Sequence, residues 1–249
     1  MARVRHLKNA PVKEALIDIQ FEPGVEVADI NRFASSLTNE FPKQHDMWEA
    51  LVGFNVDGAD ASANTTPLVI GKRFDTGADP HVLQCRTSGF TFSRLAPYIE
   101  WECLRKDAKR LWSVFVSMVG QQTVKRVAVR YINEINLPLP IKDFGDYLVC
   151  PPRVPESLSQ GISGFLQRVV IPDEKNRCIS IVNQLFEGAS VMSSGQQAIS
   201  VVLDIDVFRQ TEIDSSKVDE IFVILDALRD QKNKMFFEHL TEPAVERFE

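Results

Sequence analysis

The sequence predicts an α+β fold: antiparallel sheet with long helices packed on one face, built from two β-α-β-β-β-α units related by a pseudo-twofold axis. Three observations predict it. Apolar residues alternate with polar ones at Glu14–Phe21, Val127–Tyr131 and Ile199–Phe208, the pattern of a half-buried strand. Long helical stripes follow at Trp101–Val119 and Ile221–Leu240. The order strand, helix, three strands, long helix occurs twice at an offset of about 110–117 residues, well beyond the roughly 20–50 of solenoid repeats. The halves divide as 1–122 and 123–249, the two forming one compact unit. Burying an apolar strand face and an apolar helix stripe together puts the helices on a single side of the sheet.

The chain opens with a basic arm, Met1 to Pro11, carrying Arg3, Arg5, His6 and Lys8. In the first strand Ala15, Ile17, Ile19 and Phe21 share a face, and Pro23-Gly24 ends it. Ile30, Phe33, Ala34, Leu37 and Phe41 then mark a helix from Val27 to Phe41, stopped by Pro42. Three short extended segments are expected at Leu51–Val56, Leu68–Phe74 and His81–Phe92, separated by turns at Asp57-Gly58 and Thr76–Pro80. The long helix from Trp101 buries Leu104, Ala108, Leu111, Trp112 and Phe115.

The second half restarts with the strand around Val127. A short helix is expected over Ile141–Val149, then strands at Phe165–Ile171 and Cys178–Phe186 joined at Asp173–Asn176. A loop follows at Gly188–Gly195 and a strong strand at Ile199–Phe208. Ser215 or Ser216 is expected to cap the last helix.

If helices cover one face, the other carries the alternate residues. Asp18, Gln20, Arg126, Arg130, Asp204 and Asp206 fall there, with Gln84 and Arg86 placed in register with Phe90 and Phe92. Such a face is either a set of cross-strand ion pairs on a solvated sheet or a polar surface that recognises a partner. Its carboxylates, and a net charge of -6, argue against duplex nucleic acid, whose binding draws on positive charge.

No stretch reaches eighteen apolar residues, so no membrane span is expected. Cys85, Cys103, Cys150 and Cys178 are scattered and MARVRHLKNAP lacks secretory character, which predicts reduced thiols in a cytoplasmic chain. The sequence holds no phosphate-binding glycine loop. His6, His45, His81 and His239 have no ligand spacing, so neither a metal nor a cofactor is expected. No nucleophile elbow surrounds Ser88-Gly89 or Ser194-Gly195. No residue earns a catalytic assignment.

Five segments, HLKNAPVKEALIDIQF, GFTFSRLAPYIEWE, RVAVRYINEINLP, LDIDVF and DALRDQKNKMFFEHLTE, together resemble a sporadically distributed, uncharacterised family of bacterial proteins of about this length. The match covers nearly the whole chain, and such patchy distribution is similar to that of accessory, mobile or defence-associated genes. Among the resembling residues Phe90, Phe92, Trp101, Tyr131, Phe208, Phe236 and Phe237 read as core. Lys8, Asn9, Glu14, Ser93, Arg94, Arg130, Asn133, Lys232 and Asn233 are polar members that either specify the fold or form a binding site. Lys232 interrupts the stripe between Leu228 and Met235, so its stem is expected on apolar surface with its ammonium at a carboxylate or carbonyl.

The first functional expectation is a non-catalytic module binding a protein partner or a second copy through the polar sheet face and the basic arm. The alternative is a small-molecule or nucleotide sensor in which Arg86, Arg94, Arg126 and Arg130 meet an anion. A hydrolase with an unrecognised carboxylate site stands third.

Overall fold

The computed structural model describes residues 1–57, 60–77, 80–155, 157–158, 161–191 and 197–249. The turns expected at Asp57-Gly58 and Thr76–Pro80, and the loop over Gly188–Gly195, lie partly outside them. Among the described residues the chain is α+β, with nine strands in one antiparallel sheet and four helices.

The strands are β1 (Val12–Glu22), β2 (Lys43–Asp57), β3 (Asp60–Asp75), β4 (His81–Arg86), β5 (Gly89–Leu95), β6 (Thr123–Pro138), β7 (Phe165–Asp173), β8 (Cys178–Val191) and β9 (Gln197–Asp214). Their order across the sheet is β2-β3-β4-β5-β1-β6-β9-β8-β7. The helices are α1 (Val27–Ser36), α2 (Trp101–Val119), α3 (Val218–His239) and α4 (Glu242–Val245).

Alternation in β1 sends Ala15, Ile17, Ile19 and Phe21 into the core, and β6 does the same with Val127, Val129 and Tyr131. The long helices lie against that side. α2 packs on β1 and β5, α3 on β6, β8 and β9, and α1 against α2 and β3. Phe115 stands at the centre of the first half, with ring centroids 5.2–5.8 Å from Phe21, Phe33, Phe90 and Trp112. The second half has its own cluster of Phe144, Phe165 and Phe186. Gly120, at φ 85°, ends α2 in the left-handed region that favours glycine, its N–H bonded to the Val116 carbonyl.

Several expectations need correction. The segment His81–Phe92 is a hairpin, β4 and β5, so the first half has four strands after α1. The turn at Thr87-Ser88 reverses the register: Phe90 and Phe92 pair with Cys85 and Leu83 in the core, and Thr91 joins Gln84 and Arg86 on the opposite side. The first two segments are long strands instead of short ones. β4 pairs only with Gly71–Asp75 of β3, so the rest of the β2–β3 hairpin projects past it. Gly71 sits at that departure point, where a Cβ would come within 2.1 Å of the Cys85 carbonyl oxygen. No other residue fits there.

α1 ends at Ser36, although Leu37 and Phe41 stay buried. The helix expected at Ile141–Val149 is one 3-10 turn, Phe144–Asp146. Neither serine caps α3: Ser215 Oγ accepts the Gln122 N–H, Ser216 Oγ bonds Asp214, and Lys217 occupies the cap position. The four cysteines are all free. Among the described residues no helix is long and apolar enough to cross a membrane.

Candidate functional site

β6 divides the candidate residues between two sides of the sheet. Its Arg126 and Arg130 point to the helix-free side; its Tyr131 and Asn133 point to the helices. Each side builds a polar assembly of its own.

On the helix-free side the charges are spent on one another. Arg126 donates to Asp18 at 3.0 Å and to Asp206 at 2.9 Å, and its guanidinium lies 4.3 Å over the Phe208 ring. Phe208 is therefore half-buried on this side and not in the core. Arg86 donates to Asp18 and Thr91, and Thr91 and Gln20 also donate to Asp18. Arg130 grips Asp204 with two 2.8 Å bonds, and Asn183 adds a third bond to that carboxylate. The Asp204 bonds raise the Arg130 pKa. Burial, reinforced by Asp18 and Asp204 against the opposing Arg126 and Arg130, raises that of Asp206, whose Oδ1 is buried without a partner. Three guanidinium groups face three carboxylates, so the layer offers no surplus of positive charge. Arg94 stands apart, donating to the Pro97 carbonyl and to His81 Nε2.

The second assembly is a cleft of about 530 Å³ between the N-terminal arm, the start of α2 and one side of α3. That volume lies within the usual range for small-molecule sites, about 300–1,000 Å³. The arm supplies Val4 to Leu7, Ala10 and Pro11; the other walls include Val12 of β1, Tyr98, Trp101, Glu102, Tyr131, Asn133, Arg229, Lys232, Asn233, Phe236 and Phe237. The Tyr98 and Tyr131 hydroxyls are 2.7 Å apart. Burial pushes Tyr98 up to about 12 and moves Tyr131 in the same direction. Asn133 is buried and donates to the Leu203 carbonyl, tying β6 to β9.

Lys232 is 7% exposed. Its Nζ lies 3.6 Å from the centroid of the Tyr131 ring and donates at 2.6 Å to Asn233 Oδ1, so it reaches an amide oxygen and an aromatic face. Among the described residues no carboxylate pairs with it. Burial, with Arg229 adding to it, lowers its pKa to about 7. Arg229, one turn earlier on α3, pairs with Asp230 at 3.0 Å and sits 4.0 Å from Glu102. Trp101 is fixed by Asp226, which also receives Arg105.

The arm is tied down along its length. Ala2 donates to the Phe237 carbonyl, Arg3 N–H to Glu242, and Asn9 to the Phe248 and Glu249 carbonyls through its backbone and side chain. Arg5 pairs with Glu242 and Glu249. The Arg5 charge is thus engaged within the chain, while Lys8 and Asn9 remain exposed.

The structure therefore separates the candidates. It joins Arg86, Arg126, Arg130, Asp204 and Asp206 in the charged layer. It brings Asn133, Lys232 and Asn233 to the cleft, and leaves Lys8 and Asn9 on the arm. Sequence reasoning missed Tyr98 and Arg229. Arg229 could have been found from its three-residue spacing to Lys232, which puts both on one side of a helix. Among the described residues no three His, Cys, Asp or Glu side chains converge in a metal-binding group. Comparison with protein-family models and with curated proteins finds no match.

Proposed function

We propose that this protein binds a small molecule bearing an acidic group, carboxylate or phosphate, in the cleft beneath its N-terminal arm. The observation that carries this reading is Lys232: a buried amine on a cleft wall, held by an amide oxygen and a ring, with no carboxylate partner among the described residues. A buried charge left without counter-charge is costly, and an anionic ligand would supply what the chain withholds. Arg229 on the same wall is held by Asp230 at 3.0 Å with Glu102 4.0 Å away, so Lys232 is the cation that lacks a carboxylate there, and the aromatic walls provide apolar contact. The charged layer suits such recognition less well, since its guanidinium groups already have carboxylates.

Thermal denaturation across a panel of carboxylates and phosphates tests the reading. A ligand at about 100 times its Kd adds about 2.7 kcal/mol, a rise of about 5–10 °C for a chain of this size. A panel without any rise would remove this reading.

A second reading, a module that binds a protein partner, is favoured by the projecting β2–β3 hairpin. Trp48 there is 60% exposed, beside exposed Leu51, Val52 and Leu68. Light scattering of the purified protein and of Trp48→Ser checks it; a monomer with no retained partner from gentle lysis counts against it. In either case we read the strand order as two ancestral units meeting at β1 and β6. Each of these is flanked on its outer side by the last strand of its own half, β5 or β9, which supports duplication.

A further inference from the structure

We propose that Lys232 forms an imine with a small carbonyl compound that also carries an acidic group, a 2-oxo acid or an acidic aldehyde, bound in the cleft. This rests on the anion-binding reading above and names the reactive class of its ligand.

Three placements point that way. Lys232 lines a cleft large enough for such a compound, and the contacts of its Nζ are neutral, so no carboxylate locks the proton on. Arg229 lines the same cleft and, although paired with Asp230, places a second cation beside the amine. Tyr98 and Tyr131 also line it, and their hydroxyls, 2.7 Å apart, form a donor and acceptor pair able to pass a proton to or from the carbonyl oxygen. An amine desolvated beside another cation is the usual setting for a nucleophilic lysine. The lowered Lys232 pKa, about 7, leaves a substantial neutral fraction near neutrality.

The chemistry balances without an oxidant or reductant. The neutral amine attacks the carbonyl carbon, forming a C–N bond, and the oxygen takes a proton to give a carbinolamine. The nitrogen lone pair then expels that hydroxyl as water, the proton released when the ammonium became neutral returning through the tyrosine pair, which ends as it began, and a protonated imine is left. Ammonium plus carbonyl thus becomes iminium plus one water, and hydrolysis reverses it.

The test incubates the whole protein with glyoxylate, pyruvate or 2-oxoglutarate in the presence of cyanoborohydride, followed by intact-mass measurement and peptide mapping. The expected result is an adduct on Lys232 at least about tenfold above that on any other lysine. The matching 2-hydroxy acid, which has no carbonyl, should protect it, and Lys232→Met and Lys232→Arg should lose it. Adducts spread evenly over surface lysines, or indifferent to the hydroxy acid, overturn the proposal. Should the hydroxy acids raise Tm while no Lys232 adduct forms, the imine falls and the anion-binding cleft survives. With neither shift nor adduct, both fall. If Lys232→Met does not fold by circular dichroism, the wild-type site ratio and the protection experiment decide alone.

Discussion

The Lys232 nitrogen rests 3.6 Å above the Tyr131 ring, and the hydroxyl of that same ring is bonded to Tyr98. One aromatic side chain thus supports the amine on its face and a second phenol at its edge. The pH behaviour of the fold follows. Lys232 is held near 7 when folded against 10.5 ordinarily. Below about pH 7 both the folded and unfolded forms are protonated, and the full cost of burying the ammonium applies. Between about 7 and 10.5 the unfolded chain holds the extra proton, so stability rises with pH. The Tyr131 face offsets part of that cost, about 1–2 kcal/mol. Lys232→Met should therefore be more stable than wild type by about 1–3 kcal/mol at pH 6, the gap closing towards pH 10. Tyr98 works oppositely: with its pKa near 12 against 10, stability declines from about pH 10 as the unfolded phenol ionises first. Denaturant titrations at several pH values measure both slopes. Arg229, Asp230, Tyr98, Tyr131, and Arg5 and His6 on the arm are the titratable or charged neighbours to hold constant.

Asp18 and Asp206 share Arg126 but should not respond alike to neutralisation. Asp18 receives Arg86, Arg126, Thr91 and Gln20, so Asp18→Asn removes the charge shared by two guanidinium groups and one of the two oxygens they and their neighbours use, and should cost about 2 kcal/mol or more. Asp206 has a buried oxygen without a partner and a raised pKa. Asp206→Asn keeps one acceptor for Arg126 and should change stability by less than about 1 kcal/mol. Equal losses in urea midpoint would contradict this ranking.

Phe115 touches four aromatic rings from β1, β5, α1 and its own helix. Phe115→Ala should cost about 3–5 kcal/mol, whereas Val223→Ala on the exposed side of α3 should stay within about 0.5 kcal/mol. Chemical denaturation of the two variants compares them directly.

The arm gives a prediction read by hydrogen exchange. Arg5→Ala removes both ion pairs to Glu242 and Glu249. Amides of Ala2 and Asn9, bonded to Phe237 and Phe248, should then exchange faster, while those of β6 keep their protection. Unchanged exchange at Ala2 and Asn9 would falsify the assignment of Arg5 as the anchor.

What the sequence disclosed follows the range of the interactions involved. Alternation at β1 and β6, and the stripe of α2, are local patterns, and they were legible. The hairpin at Thr87-Ser88 was not, because Ser88-Gly89 invited comparison with a nucleophile motif and not with a turn. Missing it set Phe90 and Phe92 in register with Gln84 and Arg86, although as members of the resembling motif they read as core, where they lie. Phe208 looked like core because it is aromatic on a strong strand, but its parity matches Asp204 and Asp206, and a guanidinium covers it. Lys232 was flagged by its place within an apolar stripe. Its surroundings were hidden, since the cleft joins the arm, Tyr98–Glu102, Tyr131–Asn133 and α3, segments brought together only by long-range packing.

β6 turns every second residue towards the helices, where Tyr131 and Asn133 meet the cleft, and the intervening Arg126 and Arg130 towards the ion-pair layer. Arg130 and Tyr131 are consecutive, so a single peptide unit separates the grip on Asp204 from the ring beneath Lys232. A one-residue slip of this strand would exchange the two surfaces and ruin both together.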